Sequence, residues 1–312
     1  MSPLSPLSPI LVATDFSTPA RHAVQRAARV AHETTAALKL LHVLPGDVLG
    51  LLREWLGTDN ATESQLLEQG RQQLLQLAQE VGSARHVRQI EISAKAGPIV
   101  REILAEAQCS AAGLLVLGAR GAGFLRRLAV GTTSERLLRR TLTPLLVVRQ
   151  TPHEPYRRAL VAVDFSPWSA QALALARQVA PHAQLVLLTV FQVPFEDKLR
   201  FAGVDAETVE QYRLQSRARA EQELHALAER AGLRPGQWTS CVLEGDASLR
   251  IVEQEQEQDC DLVVLGKHGR SLTEDLLLGS VTKHVLAEGG ADLLVSTAHA
   301  GQDQPTAGEQ DA

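Results

Sequence analysis

Two short stretches of the 312-residue chain carry the residue types and spacing of an anion cradle. One reads Gly118–x2–Gly121–x9–Gly131–Thr132, the other Gly266–x2–Gly269–x9–Gly279–Ser280. Each begins where a run of apolar residues ends (Leu114–Leu117; Leu262–Leu265) and ends where a helical pattern begins. Glycine at a strand end lets backbone approach a ligand with no Cβ in the way. A helix start supplies unpaired N–H groups and the positive end of the helix dipole. A Thr or Ser hydroxyl adds a donor. Together these groups suit phosphate. Glycine after a strand is also ordinary turn chemistry, and it is the repetition of the spacing that singles these stretches out.

The elements that must position the two cradles repeat as well. Ile10–Ser17 (ILVATDFS) returns as Leu160–Ser166 (LVAVDFS), and the offsets between matching residues are 148 or 149. A period this long means two duplicated domains, not a solenoid of small units. We place them at 1–150 and 157–298, followed by a disordered tail at 299–312. Each copy alternates short apolar runs with amphipathic stretches, which is the pattern of a doubly wound parallel sheet. In the first copy, strands are expected near 10–14, 38–44, 89–94, 114–117 and 145–149. Helices are expected near 17–31, 62–81, 98–108 and 132–141, the first with Ser17 as N-cap and Pro19 in its first turn. The 89–94 segment alternates as a half-buried edge strand does. The second copy follows suit, with strands near 159–163, 185–191, 238–243, 262–265 and 293–295. The apolar last strands, Leu145–Arg149 and Asp292–Thr297, would lie at sheet edges and need cover. Glu253, Glu255 and Glu257 alternate with Gln and read as a solvated helix face.

The cradles, the A-x-D at the first strand of each copy (Ala13–Thr14–Asp15; Ala162–Val163–Asp164) and the His42–Val43 ending of the second strand resemble the universal stress protein family, in its ATP-binding branch, present twice. The resemblance implies two Rossmann-like five-stranded parallel sheets of order 3-2-1-4-5, with ATP, ADP or AMP across the ends of strands 1 and 4. It also implies that the last strands pair antiparallel, so that the halves form an intramolecular pseudo-dimer, with a further homodimer open. Carried over by position, Ala13 and Asp15 would contact the nucleoside, and the Val43 backbone the adenine. Gly118, Gly121, Gly131, Thr132 and the Thr133 N–H would hold ribose and phosphates. The second set is Ala162, Asp164, Val190, Gly266, Gly269, Gly279, Ser280 and Val281. For Asp15 and Asp164 a helix-start role beside a Ser cap is the structural alternative. Thr189 replaces the family's His in the second copy.

The loops between the glycines differ in charge. Arg126 and Arg127 stand where the second copy has Glu274 and Asp275. Arginine suits phosphate, whereas acids repel a triphosphate unless Mg²⁺ intervenes. The totals have the same sign: residues 1–150 carry +5 and residues 151–312 carry −10. We therefore expect a tighter first site and a weaker or Mg²⁺-dependent second one. A lipid or other non-nucleotide ligand in one half is an alternative.

Other chemistries find no footing. The sequence lacks HExxH, CxxC, GxSxG and GxxxxGK[ST] patterns. No base or nucleophile is placed for rapid turnover, which leaves slow ATP hydrolysis or self-phosphorylation as the most an enzyme reading allows. A net charge of −5 argues against a nucleic-acid partner. Neither a signal peptide nor a membrane span is expected, so the location reads as cytoplasmic. Cys109, Cys241 and Cys260 read as buried reduced thiols.

Overall fold

The structure is a computed structural model that describes residues 7–46, 60–85, 87–119, 132–193, 205–267 and 278–297. The proposed tail, Gly121, Arg127, Gly131, Gly269 and the two charged loop pairs lie outside the described residues.

In the first half the chain runs β1 (Ile10–Ala13), α1 (Thr18–Thr34), β2 (Leu38–Pro45), α2 (Asn60–Arg85), β3 (Ile90–Gly97), α3 (Ile99–Cys109), β4 (Leu114–Gly118), α4 (Thr132–Arg140) and β5 (Leu145–Val148). The second half repeats it as β6 (Arg158–Ala162), α5 (Pro167–Val179), β7 (Gln184–Phe191), α6 (Ala206–Arg230), β8 (Trp238–Glu244), α7 (Ala247–Glu257), β9 (Leu262–Gly266), α8 (Ser280–Glu288) and β10 (Asp292–Ser296). Helix α1 shows why the local sequence folds this way. Ser17 caps it by accepting from the Ala20 N–H at 3.4 Å. Its small residues Ala20, Ala23, Ala27, Ala28 and Ala31 fall on the buried side, so the helix lies close against the sheet.

All ten strands form one sheet in the order β3-β2-β1-β4-β5-β10-β9-β6-β7-β8. Each half is therefore a 3-2-1-4-5 parallel sheet, and the halves meet edge to edge. The seam is antiparallel: Leu145, Leu146 and Val147 face Val295, Leu294 and Leu293. That pairing covers the apolar edges, and every residue of β5 and β10 is buried. Two cores, one on each face, run through both halves. One holds α1, α2, α5 and α6, and the other α3, α4, α7 and α8.

Polar contacts lock the seam. The Arg149 guanidinium, just after β5, donates to the carbonyls of Val285, Leu286, Gly289 and Ala291 at the end of α8. In the opposite direction, the Lys267 Nζ, just after β9, donates to the carbonyls of Arg139 and Thr141 at the end of α4, both at 3.2 Å. A cation at a helix C-terminus meets its unpaired carbonyls and the negative end of its dipole. Each half thus caps the last helix of the other. Beside the seam, buried Asp292 of β10 takes the N–H groups of Arg149 (2.7 Å) and Gln150 (3.0 Å) and the Tyr156 hydroxyl (2.7 Å). Arg26 of α1 completes the cluster, 3.3 Å from the Asp292 carboxylate and 3.9 Å from the centre of the Tyr156 ring. Burial pushes the Asp292 carboxyl up from its ordinary value, against the pull of Arg26 and the two backbone donors.

Two expectations need correction. Glu255 is not on a solvated face: it is 4% exposed, and its carboxylate accepts from the N–H groups of Gly290 (2.7 Å) and Ala291 (2.6 Å). The alternation with Gln hid this because α7 turns both Gln254 and Glu255 inward. The three thiols are not all buried either, since Cys109 is exposed at the end of α3. Burial pushes the Cys260 thiol up to about 12.

Candidate functional site

The second half shows the site most fully. Strand β6 ends at Ala162, and the Val163 N–H still bonds the Leu188 carbonyl of β7 at 2.8 Å. The chain then turns sharply through Asp164–Phe165–Ser166, with Phe165 at φ 61. A bulky residue in the left-handed region is held there by its surroundings. Asp164 supplies the restraint. Its Oδ1 accepts from the Ser166 N–H (3.0 Å), the Ser166 hydroxyl (2.5 Å) and the Ser169 hydroxyl (2.7 Å), while its own N–H donates to Ser169 at 3.0 Å. The first half repeats the turn: Phe16 has φ 63, and Asp15 Oδ1 accepts from the Ser17 N–H (3.1 Å) and hydroxyl (2.5 Å). Both aspartates therefore do hold a helix start, whatever else they contact. The sequence gives no sign of the left-handed phenylalanines, because residue type argues against them.

On the neighbouring strand, β9 ends at Gly266, and the Lys267 N–H reaches the Ser296 carbonyl at 2.8 Å. The Thr282 hydroxyl of α8 donates to the Gly266 carbonyl at 3.3 Å. In the first half, the Ser134 hydroxyl donates to the Gly118 carbonyl at 3.2 Å, and the Ala119 N–H reaches the Val148 carbonyl at 2.8 Å. These hydroxyls pin the start of each last helix to the strand end. Sequence reasoning missed them, although Ser134 and Thr282 follow the Gly-Thr and Gly-Ser pairs at the same distance. Gly279 is the N-cap of α8, with no side-chain cap bond. Ser280 is exposed at the first helical position.

Between these strand ends a cavity of about 180 Å³ brings together Ala162, Asp164, Val190, Gly266, Gly279, Ser280 and Val281, all of the second-copy candidates that the structure describes. Ile251 and Leu188 give it an apolar side, and Lys267 is also at its wall. A second cavity of about 500 Å³ shares Asp164, Val190 and Ala247 with it and continues past Gln192 and Gly245. The two adjoin at Asp164, Val190 and Ala247, at the carboxyl ends of the strands, which is where open α/β sheets take ligands. Cavities of this size, with an apolar side and a few polar groups, are of the kind that take small molecules.

In the first half, Ala13 ends β1, Val43 is buried on β2 and Thr133 is half-buried on α4. Gly118 has a packing reason of its own. A Cβ there would sit 2.8 Å from the Pro19 carbonyl oxygen and 3.1 Å from the Ala20 nitrogen, both backbone atoms at the start of α1. His42 is a strand residue: its Nδ1 lies 2.9 Å from the Thr14 carbonyl and its ring 4.5 Å from that of Phe16. Among the described residues, no three His, Cys, Asp or Glu side chains converge on a metal-sized point. None of the helices formed by them is long and apolar enough to cross a membrane.

The sequence matches the universal stress protein family twice, over residues 7–149 and 155–296. A universal stress protein of Mycobacterium tuberculosis is 32% identical over 207 residues, covering 64% of this chain and 65% of that protein, so the chain spans somewhat under two thirds of that relative. Another, from Mycolicibacterium smegmatis, is 27% identical over 303 residues, covering 92% of this chain and 96% of the relative. Among solved structures, a universal stress protein from Archaeoglobus fulgidus superposes with a TM-score of 0.67 over 92% of this chain and 97% of that one, at 19% identity, which speaks to the fold. With both halves matched and both built on the same sheet order, this chain belongs to the universal stress protein family, as a tandem of two copies.

Proposed function

We propose that the chain binds an adenine nucleotide (ATP, ADP or AMP) at the strand ends and acts as a nucleotide-dependent regulator in the stress response. The observation that carries this reading is the pair of cavities that adjoin at Asp164, the smaller of them lined by the described second-copy motif residues. The larger cavity suits a nucleoside beside the Val190 backbone. Asp164 would accept from a ribose hydroxyl. The smaller cavity ends on the first N–H groups of α8, at Ser280 and Val281, which suit phosphate oxygens. Ala13, Asp15, Val43, Gly118 and Thr133 take the same roles in the first half, with Thr132, Gly121, Gly131 and Arg127 on the phosphates. Arg126 and Arg127 make the first site the tighter one, and Glu274 and Asp275 make the second dependent on Mg²⁺ for a triphosphate.

Calorimetric titration of the full chain tests both parts. Wild type is expected to show two unequal ATP sites, Gly131→Val to remove the tighter and Gly279→Val the weaker. ATP binding unchanged in both variants would sink the assignment. Equal affinities with and without Mg²⁺ would sink the asymmetry. Mass spectrometry of what the purified protein releases on denaturation separates the nucleotide reading from the lipid alternative.

A further inference from the structure

The first half holds another cavity, which shares no lining residue with the second-half cleft and includes none of the motif residues. It is an open cavity of about 530 Å³ between α1, α2 and the segment that joins the halves. Arg21 and His22 line it from α1, Arg85 and Glu80 from α2, and His153 from the joining segment, over an apolar turn of α2 at Leu77.

Its charge balance is positive. Glu80, its acidic group, lies 3.6 Å from Arg21. Among the described residues no carboxylate stands within ion-pair distance of Arg85. Next to the cavity, Arg29 donates to the His153 carbonyl at 2.6 Å and keeps a buried Nε with no hydrogen-bond partner. Burial, then the charges of Arg85 and Arg26, hold the Arg29 guanidinium below its ordinary value. The basic wall is not part of the duplicated pattern, since Ala170 and Gln171 stand where the first half has Arg21 and His22.

We infer that this cavity is a binding site for a phosphoryl group, carried by inorganic phosphate or by a small phosphate ester. Guanidinium groups meet phosphate oxygens in a two-pronged geometry, and imidazole adds N–H donors. A dianion here would sit between Arg21 and Arg85 and outweigh Glu80. The apolar turn at Leu77 gives room for the body of an ester. The third wall is the joining segment itself, fixed to α1 by the Arg29 bond and by the Arg26 bond to the Glu154 carbonyl at 2.9 Å. An occupant would therefore touch α1, α2 and the joining segment together, away from the strand ends.

The test is titration of the full-length protein with inorganic phosphate and with phenyl phosphate, followed by backbone amide NMR. Saturable shifts are expected at the N–H groups of Thr151 and His153. Arg85→Gln should weaken both ligands at least about tenfold, the effect of losing one charge-assisted contact. Arg85→Lys, which keeps the charge, should recover part of that affinity, as loss of fold would not. Tighter binding of phenyl phosphate supports an ester as occupant, and equal binding supports free phosphate. No saturable binding at millimolar ligand, shifts confined to Gly279–Val281, an equal response to chloride, or unchanged affinity in Arg85→Gln would each overturn the site.

Discussion

Replacing Asp292 by Ala should be among the most damaging single changes in the chain, and the geometry says by how much. The carboxylate is fully buried, accepts from three donors (the N–H groups of Arg149 and Gln150 and the Tyr156 hydroxyl) and forms an ion pair with the Arg26 guanidinium at 3.3 Å. Removing it leaves Arg26, whose side chain is 4% exposed, without its counter-charge. Breaking a buried pair from one side costs about 3–5 kcal/mol, because the partner's charge stays desolvated. Part of that is recoverable. Arg26→Met with Asp292→Leu replaces the pair with apolar groups and should restore roughly half of the loss. It cannot restore all, since the two backbone N–H groups remain without an acceptor.

Urea unfolding gives the measurement, read from the shift in midpoint at constant slope. Trp168 and Trp238 report on the second half, and circular dichroism on the whole chain. Wild type should unfold in one transition, because one sheet and two cores run through both halves. Asp292→Ala should lower the midpoint and begin to separate the halves, since the lost contact joins α1 of one to β10 of the other. A loss under about 1 kcal/mol, or a paired variant no better than Asp292→Ala alone, would refute the view that this cluster locks the seam.

Three further outcomes follow from other sites. Glu106, on the buried side of α3, lies between the Lys39 and Lys95 ammonium groups, each at 2.6 Å; burial raises its pKa, but the two lysines outweigh that and hold it below the ordinary value. A depressed carboxyl contributes stability that is full above its unfolded pKa and is lost as pH falls through the folded one. Wild type should therefore lose stability as pH drops below about 4.5, and Glu106→Gln should flatten that slope in acid unfolding curves. Ala111 follows α3 at φ 48 and is exposed, so Ala111→Gly should raise the unfolding free energy by about 1 kcal/mol, whereas a loss would contradict the strain. Gly118→Ala puts a Cβ against backbone at the start of α1 and should cost about 1–3 kcal/mol in the same assay with no ligand present; a neutral result would return Gly118 to a purely ligand-facing role.

Much of this fold was legible because the local and global signals agree. The apolar runs became buried strands, the helix expected near 17–31 runs over Thr18–Thr34, and its small-residue face became its packing face. The alternation of Ile90–Ala94 correctly marks an edge strand, which lies at one end of the sheet. The candidate site was legible where it depends on residue order, as with the seven residues gathered around the cleft. It was not legible where tertiary contact decides. Phe16 and Phe165 adopt a backbone their type disfavours, held by a neighbouring aspartate or threonine side chain. Glu255 is drawn inward by two N–H groups 35 and 36 residues away in the chain. No periodicity encodes such a partner.

The contrast between the halves has a structural counterpart beyond net charge. Two identical copies would meet through a symmetric seam, and the Leu146–Leu294 pairing alone permits that. The polar locks do not. Position 144 holds Pro where the second half has Asp292, and position 175 holds Leu where the first half has Arg26. Lys267 stands where the first half has Ala119. A seam between two first halves would lack the Asp292 acceptor and the Lys267 cap, and would leave Arg26 buried with no counter-charge. A seam between two second halves would bury two Asp292 carboxylates with no guanidinium. Each wrong pairing strands a charge that the correct one neutralises, which is how specificity is built against alternatives. The same locks tie the two candidate sites together. Lys267 lines the second-half cleft and grips the end of α4, whose start is the first cradle. Arg149 leaves the strand beside Gly118 and grips the end of α8, whose start is the second. Each of these two cations therefore joins the strand end of one half to the last helix of the other.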